Sequence, residues 1–103
     1  MDLPSAKEEA VLELLLGGKE MYGLEMVKAD VGLKRGTIYV TLGRMEEVKW
    51  VTSRVGANDL GGLGPPRRLY RITGLGARAL AARRAGREAE QAVLLGATVG
   101  AGI

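Results

Sequence analysis

Apolar residues recur at helical spacing between Ile38 and Met45, and they define the most informative element of the chain. Leu42 and Met45 fall within about 40° of Ile38 on a helical wheel, which predicts a buried seam on a helix running from about Lys34 to Val48. The outward face is small or polar at nearly every step and consists of Gly36, Val40, Gly43 and Glu47, with Thr37 and Arg44 on its flank. A glycine inside a helix costs about 1 kcal/mol relative to alanine. We therefore interpret this face as one that approaches a partner closely, with a poorly optimised surface helix as the alternative.

Two shorter helices are predicted before this one. Ser5 and Glu8 fit a capping box, in which each side chain bonds the backbone amide of the other residue. The first helix then runs to Gly17-Gly18, where glycine supplies the positive φ of a C-terminal cap. Its apolar stripe is Ala10, Val11, Leu14 and Leu15, widened by Leu12 and Leu16. A turn over residues 20–23 leads into a second helix, residues 24–29, whose inward residues are expected to be Leu24, Val27 and Val31.

A basic β-hairpin is predicted after the third helix. Alternation and β-branched residues indicate a strand from Trp50 to Val55 and a return strand from Arg67 to Ile72. The glycine- and proline-rich segment between them, residues 56–66, is expected to be a flexible loop. Because side chains alternate along a strand with a period of two, Tyr70 and Ile72 are expected to face the core. It leaves Arg67, Leu69 and Arg71 outward, and Arg68 is expected to extend from the inner phase into solvent.

Thr73 is expected to cap a last helix, from Leu75 to about Leu95. Alanine and glycine on this helix permit close approach of a second helix, so dimerisation is favoured over a lone surface helix. The residues assigned to that interface are Leu75, Ala79, Ala82, Ala89 and Val93, together with Leu12 and Leu16 of the first helix.

These elements predict a mainly α protein with a small β-hairpin. The expected architecture is a winged helix-turn-helix, with three helices and a two-stranded wing, over residues 1–73. A C-terminal dimerisation helix is expected over residues 74–95 and a flexible tail over residues 96–103.

Composition lowers the expectation of catalysis. The 103 residues include 47% apolar and 26% charged residues, as in an ordinary globular domain, but no Cys and no His. Disulfides, thiolate nucleophiles, the commonest metal ligands and the usual general base near neutral pH are therefore missing. We expect no enzyme activity, no metal and no cofactor. No signal peptide and no apolar run of about 20 residues is seen, so a cytoplasmic protein that does not enter a membrane is expected.

The distribution of charge points to nucleic acid. The net charge is only +3, but eight arginines and a single acid, Asp59, lie between residues 50 and 87, while acids crowd the first half of the chain. A major groove accepts a helix, and a wing reaches adjacent phosphates, so double-stranded DNA is the expected partner. A merely solvated arginine-rich surface is the alternative. The candidate DNA-binding residues are Lys34, Arg35, Thr37, Tyr39, Val40, Arg44, Arg54, Arg67, Arg68 and Arg71.

Three stretches resemble the PadR family of transcriptional regulators. They are Met21-Tyr22-Gly23-Leu24, Gly36-Thr37-Ile38-Tyr39 with Trp50-Val51 downstream, and Pro65-Pro66-Arg67-Arg68-Leu69-Tyr70-Arg71-Ile72-Thr73. The resemblance covers about residues 6 to 85. It implies a winged-helix repressor of bacteria or archaea that dimerises through its C-terminal helix and binds a two-fold symmetric operator. The family usually has a glycine before the Trp50 position; Lys49 stands there, which predicts a strained or differently capped corner.

Some family members release DNA when a small aromatic or drug-like effector binds, so an effector is a further expected partner. Trp50, Tyr22 and Met21 are the candidate contacts for it, with core packing as the alternative for all three. The rival function from another class is a winged-helix module for protein–protein contact, whose basic face serves solubility or an acidic partner.

Overall fold

Within residues 3–56 and 67–99, which the computed structural model describes, four helices and three strands follow one another. Side chains are described as far as residue 95. The elements are α1 (Ala6–Leu14), β1 (Met21–Tyr22), α2 (Gly23–Ala29), α3 (Ile38–Glu47), β2 (Val51–Val55), β3 (Arg68–Ile72) and α4 (Gly74–Val99). The predicted loop falls almost entirely within residues 57–66, outside the described residues.

The first helix begins at the predicted capping box. Glu8 N donates to Ser5 Oγ at 3.2 Å, and Ser5 N donates to Glu8 Oε1 at 2.8 Å, so both orphan amides are satisfied. Gly17 and Gly18 both have φ of +82° and end this segment, as expected for a left-handed C-terminal turn.

One core holds the helices and the sheet together. The predicted inward seam of α3 is confirmed, because Ile38, Leu42 and Met45 are all buried. One other expectation is wrong. Met26, not Val31, is the buried end of α2, and Val31 is 92% exposed. The full cluster is Val11, Leu12, Leu15, Met26, Leu33, Ile38, Leu42, Met45, Trp50, Val51, Tyr70, Ala79 and Leu80.

Burial corrects part of the predicted dimer interface. Leu12 and Ala79 are members of the core and are almost completely buried within one copy of the chain. In this conformation they therefore have almost no accessible surface for a second copy. The assignment of Leu16, Leu75, Ala82, Ala89 and Val93 stays a prediction.

The sheet has three antiparallel strands in the order β1-β3-β2, one more than the predicted hairpin. In the hairpin, Val51 pairs with Ile72 and Ser53 with Tyr70. The additional strand lies where a turn was predicted, and it pairs Met21 with Tyr70. It is only two residues long, too short for alternation to be visible in the sequence. Its consequence is that the start of α2 is hydrogen-bonded to the wing.

A corner at Lys49 joins α3 to the sheet. Trp50 N donates to Met45 O at 2.9 Å and Lys49 N donates to Glu46 O at 3.1 Å, the two bonds of a Schellman motif. Lys49 occupies the left-handed position of that motif with φ of +68°. The strain expected from a lysine in the place of glycine is therefore present.

Thr73 and Gly76 fasten α4 to the same corner. Thr73 Oγ1 donates to Lys49 O at 2.5 Å and accepts from Gly76 N at 3.0 Å, which confirms Thr73 as the cap. A Cβ at Gly76 would lie 2.1 Å from Trp50 O, so only glycine fits this crossing.

The last helix is longer than predicted. It continues to Val99, four residues beyond the expected boundary at 95, so residues 96–99 of the expected tail are helical. Residues 100–103 lie outside the described residues. None of the described helices combines the length and the apolar character needed to cross a membrane.

Replacing Lys49 with glycine is expected to stabilise the protein by about 1 kcal/mol, because glycine adopts the left-handed conformation without the Cβ penalty. Guanidinium unfolding at fixed protein concentration measures the change. Lys49→Ala is the matched control: it removes the same charge but keeps a Cβ, and no comparable gain is expected. An equal gain in both variants would contradict the role of backbone strain.

Gly76→Ala is expected to lower the free energy of unfolding by about 2–3 kcal/mol, because the new Cβ overlaps the Trp50 carbonyl. Gly86→Ala, on the same helix, is the control. A Cβ there meets nothing within 4 Å, so the variant should gain about 0.5–1 kcal/mol of helix stability. A Gly76→Ala variant that melts at or above the wild-type temperature would show that the corner does not require glycine.

Candidate nucleic-acid interface

The start of α3 carries the exposed basic residues. Thr37 N and Ile38 N donate to Lys34 O at 3.1 and 2.9 Å, which makes residues 34–37 a turn, and the helix itself begins at Ile38. The predicted start at Lys34 is therefore wrong by about one turn. Lys34, Arg35 and Thr37 flank the helix N-terminus on exposed backbone. Lys34 Nζ donates to Val31 O at 3.0 Å, and Thr37 makes no capping bond with its side chain.

The outward face of α3 is shallow. Val40 is 76% exposed, and a Cβ added at Gly36 or Gly43 would meet nothing within 4 Å. Tyr39 is half exposed, with one edge of its ring over the start of α2. A Cβ at Gly23 would lie 2.9 Å from Tyr39 Cε1. Tyr39 therefore lies between the inner and outer faces of α3.

Arg44 is held by an acid of the first helix. Its Nε donates to Glu8 Oε2 at 2.8 Å, and the Glu8 side chain is only 5% exposed. Burial raises the pKa of Glu8, but hydrogen bonds from Ser5 and Arg44 outweigh it, so the pKa lies below its usual value. Because the carboxylate is charged at neutral pH, the pair orients Arg44 toward α1. This contact was missed in the sequence, although the capping box had already identified Glu8.

One face of the wing is linked to α3. Ser53 Oγ donates to Glu46 Oε2 at 2.7 Å, and Arg68 Nε donates to Ser53 Oγ at 2.8 Å. Arg68 therefore lies on the side of the sheet that packs on α3, as its inner phase predicted, while its side chain is exposed.

The other face of the wing carries Arg54 and Arg71. Arg54 pairs across the hairpin with Leu69, and Arg71 with Thr52, so these four residues share a face opposite to Arg68. Arg54 donates to both carboxylate oxygens of Glu20, at 2.7 and 3.2 Å. These bonds lower the pKa of Glu20 and raise the pKa of Arg54. The structure thus divides the predicted basic wing between two faces.

Arg67 lies just before β3, at the end of the hairpin opposite to the Trp50 corner, with its guanidinium carbon 4.9 Å from the centre of the Tyr22 ring. This cation–π contact connects the hairpin to β1. Arg67 therefore covers one face of the Tyr22 ring, a candidate effector contact. Trp50, the other candidate effector contact, is 5% exposed within the core, and Met21 packs against that core.

Three arginines of α4 serve the fold. Arg83 and Arg87 both pair with Glu9, which is buried, and Arg84 pairs with Glu13 at 3.3 Å. Arg83 also donates to Pro4 O at 2.6 Å. These contacts hold α4 against α1, so the count of arginines in the second half overstates the charge that faces a partner.

The predicted DNA-binding residues therefore form one group and several outliers. Lys34, Arg35, Thr37, Tyr39 and Val40 lie together at the start of α3, with Arg68 on the neighbouring face of the wing. Arg54 and Arg71 lie on the opposite face, and Arg44 and Arg67 have partners within the chain. Contact of any of these residues with DNA stays a prediction.

The sequence model of the transcriptional regulator PadR-like family matches residues 11–82, more than half of the chain. Comparison with curated proteins gave no significant match.

Solved structures show the same fold. A PadR-like transcription factor from Bacteroides fragilis superposes with a TM-score of 0.73 at 21% identity, covering 85% of each chain. A PadR family transcription regulator from Clostridium difficile gives 0.70 at 24% identity, covering 88% of this chain and 97% of the other. Bacillus subtilis PadR, solved in complex with operator DNA, gives 0.61 at 24% identity, covering 74% of this chain and 45% of the other.

The three helices, the three-stranded sheet and the final helix are thus those of PadR-like winged-helix proteins. The family match includes α3, the corner at Lys49, the wing and the first turns of α4. The chain belongs to the PadR-like family of transcriptional regulators.

Proposed function

We propose that the protein is a dimeric repressor that binds a two-fold symmetric DNA site, with α3 in the major groove and the wing on the backbone. The observation that carries the proposal is the start of α3, where Lys34 and Arg35 flank an exposed face that contains Thr37 and Val40. Bacillus subtilis PadR, which shares the fold, has been solved with operator DNA.

Electrostatics favour phosphate at this position. The amides at a helix N-terminus carry partial positive charge, and two cationic side chains next to them add to the attraction for an anion. Glu46 and Glu47 lie at the other end of α3, so the helix would enter the groove with its N-terminus first. Arg68 would meet the backbone from the α3 side of the wing.

The end of α4 supports a second copy as partner. The helix has 26 residues, about 39 Å at 1.5 Å per residue, and only its first turns pack on the core. Val93, Leu94 and Leu95 are 69%, 75% and 69% exposed in one copy of the chain. An apolar helix end of this kind gains little from its own domain, whereas a symmetric copy would bury it.

Changing both Lys34 and Arg35 to glutamine is expected to weaken DNA binding and to flatten its salt dependence. Two lost phosphate contacts should reduce the slope of log K against log salt by about 1.8. The duplex is enriched from a random-sequence pool with the wild-type protein and is labelled with a fluorophore. Titrations at salt concentrations from about 50 to 200 mM then measure the slope.

The matched control is Arg84→Gln, which removes a cation that is paired with Glu13 on the α1 side of α4. Its slope should stay unchanged. If the double variant kept the wild-type slope, DNA would not contact Lys34 and Arg35. A wild-type protein that enriches no sequence and binds only acidic proteins would instead support the protein–protein module.

Repression is a separate expectation. Added protein should lower transcript yield in vitro from a promoter that overlaps the enriched site, and should leave a promoter with a scrambled site unaffected. A rise in transcript yield would identify an activator.

Changing Val93 and Leu94 to glutamate is expected to convert a dimer into a monomer, because two charges would replace the apolar surface that the second copy covers. Sedimentation velocity measures the oligomeric state. The control is Val31→Glu, which makes the same chemical change at a residue that is 92% exposed on the α2–α3 turn. A wild-type protein that sediments as a monomer at micromolar concentration would overturn the dimer.

A further inference from the structure

The outward face of α3 presents one apolar side chain with open space on both sides. Val40 is 76% exposed, with Gly36 four residues before it and Gly43 three residues after it. Gly43 lies one turn along the helix from Val40, and Gly36 lies in the turn that precedes α3. A Cβ at either glycine would meet nothing within 4 Å, and neither position places a side chain beside Val40.

The longer side chains near Val40 are turned to other partners. The Arg44 guanidinium is bonded to Glu8 at 2.8 Å, and the Tyr39 ring lies against the start of α2, close to Gly23. Neither residue covers the valine. Val40 thus projects from the first turn of α3 as an apolar group without a donor or an acceptor.

The major groove offers one apolar group for such a side chain. Guanine, cytosine and adenine present donors and acceptors on their edges, while thymine also presents its C5-methyl. We propose that Val40 contacts the methyl group of a thymine in each half-site and that Gly43 lets the α3 backbone come close enough for this contact. The inference rests on the proposed function, since it names the base that the same helix reads.

Gly43 supports the close approach independently. A glycine within a helix lowers its stability relative to alanine, and in this chain it is not needed for a positive φ or for packing. The position therefore tolerates a Cβ within the protein itself. A base-pair edge in contact with Val40 would be the neighbour that does not tolerate it.

The experiment begins with a duplex enriched from a random-sequence pool by the wild-type protein. Each thymine is then replaced singly by deoxyuridine, which removes the methyl group and leaves base pairing unchanged. At one thymine per half-site the affinity of the wild type should fall about fourfold, the equivalent of one buried methyl group. Val40→Ala should bind the unmodified duplex more weakly and should lose no further affinity at that thymine.

The glycine is tested by a matched pair of variants. Gly43→Ala and Gly86→Ala both add a methyl group in open space on a helix, so both should raise the melting temperature. Only Gly43→Ala should weaken binding to the enriched duplex. Unchanged affinity in Gly43→Ala would overturn the close approach, and raised melting temperatures exclude misfolding as the cause of weaker binding.

The outcomes separate the two proposals. If an enriched duplex binds tightly but no deoxyuridine changes the affinity, or if Val40→Ala remains as sensitive as the wild type, the thymine contact is wrong and the repressor stands. If no sequence is enriched, both the repressor and the contact fall.

Discussion

The crossing of α4 over the backbone of Trp50 is the constraint on which the arrangement of the other elements depends. Thr73 bonds Lys49 and Gly76 at 2.5 and 3.0 Å, and the absence of a side chain at Gly76 lets the two backbones touch. The end of α3, both strands of the hairpin and the start of α4 meet there. One corner therefore sets the direction of the helix proposed to read DNA relative to the helix proposed to dimerise, and the spacing of two half-sites would follow from it.

Charge has two roles in this fold, and contacts distant in sequence separate them. Glu8, Glu9 and Glu20, all in the acidic first half, pair with arginines of the second half or of α3. The carboxylates of Glu8 and Glu9 are largely buried, whereas the exposed pair of Glu20 and Arg54 adds little to stability. The ion pairs of Glu8 and Glu20 also affect orientation, because they hold Arg44 and Arg54 in defined directions. The cations at the start of α3 lie apart from this network, and that position fits them for an anionic partner.

Local patterns in the sequence predicted the structural features that depend on residues close together in the chain. The seam of Ile38, Leu42 and Met45 and the capping box at Ser5 follow from the spacing of residues, and both are observed. The strain at Lys49, also observed, was implied by the resemblance to the PadR family. Contacts between distant segments were missed. Glu8 and Arg44 are 36 residues apart and Glu20 and Arg54 are 34 apart, so no local pattern shows that they meet. Strand β1 was missed because two residues show no alternation.

The contacts that stabilise α3 lie on one side of the helix, and the opposite side is available to a partner. A ten-residue helix is too short to be stable alone in water, so its buried seam and its Schellman corner must hold it. Because neither support uses the outward face, glycine and an exposed valine there carry a small cost that the core can absorb. The same supports fix the backbone before binding, which reduces the entropy lost when DNA is engaged. In the proposed complex, this rigid and shallow face would let α3 approach the base-pair edges closely.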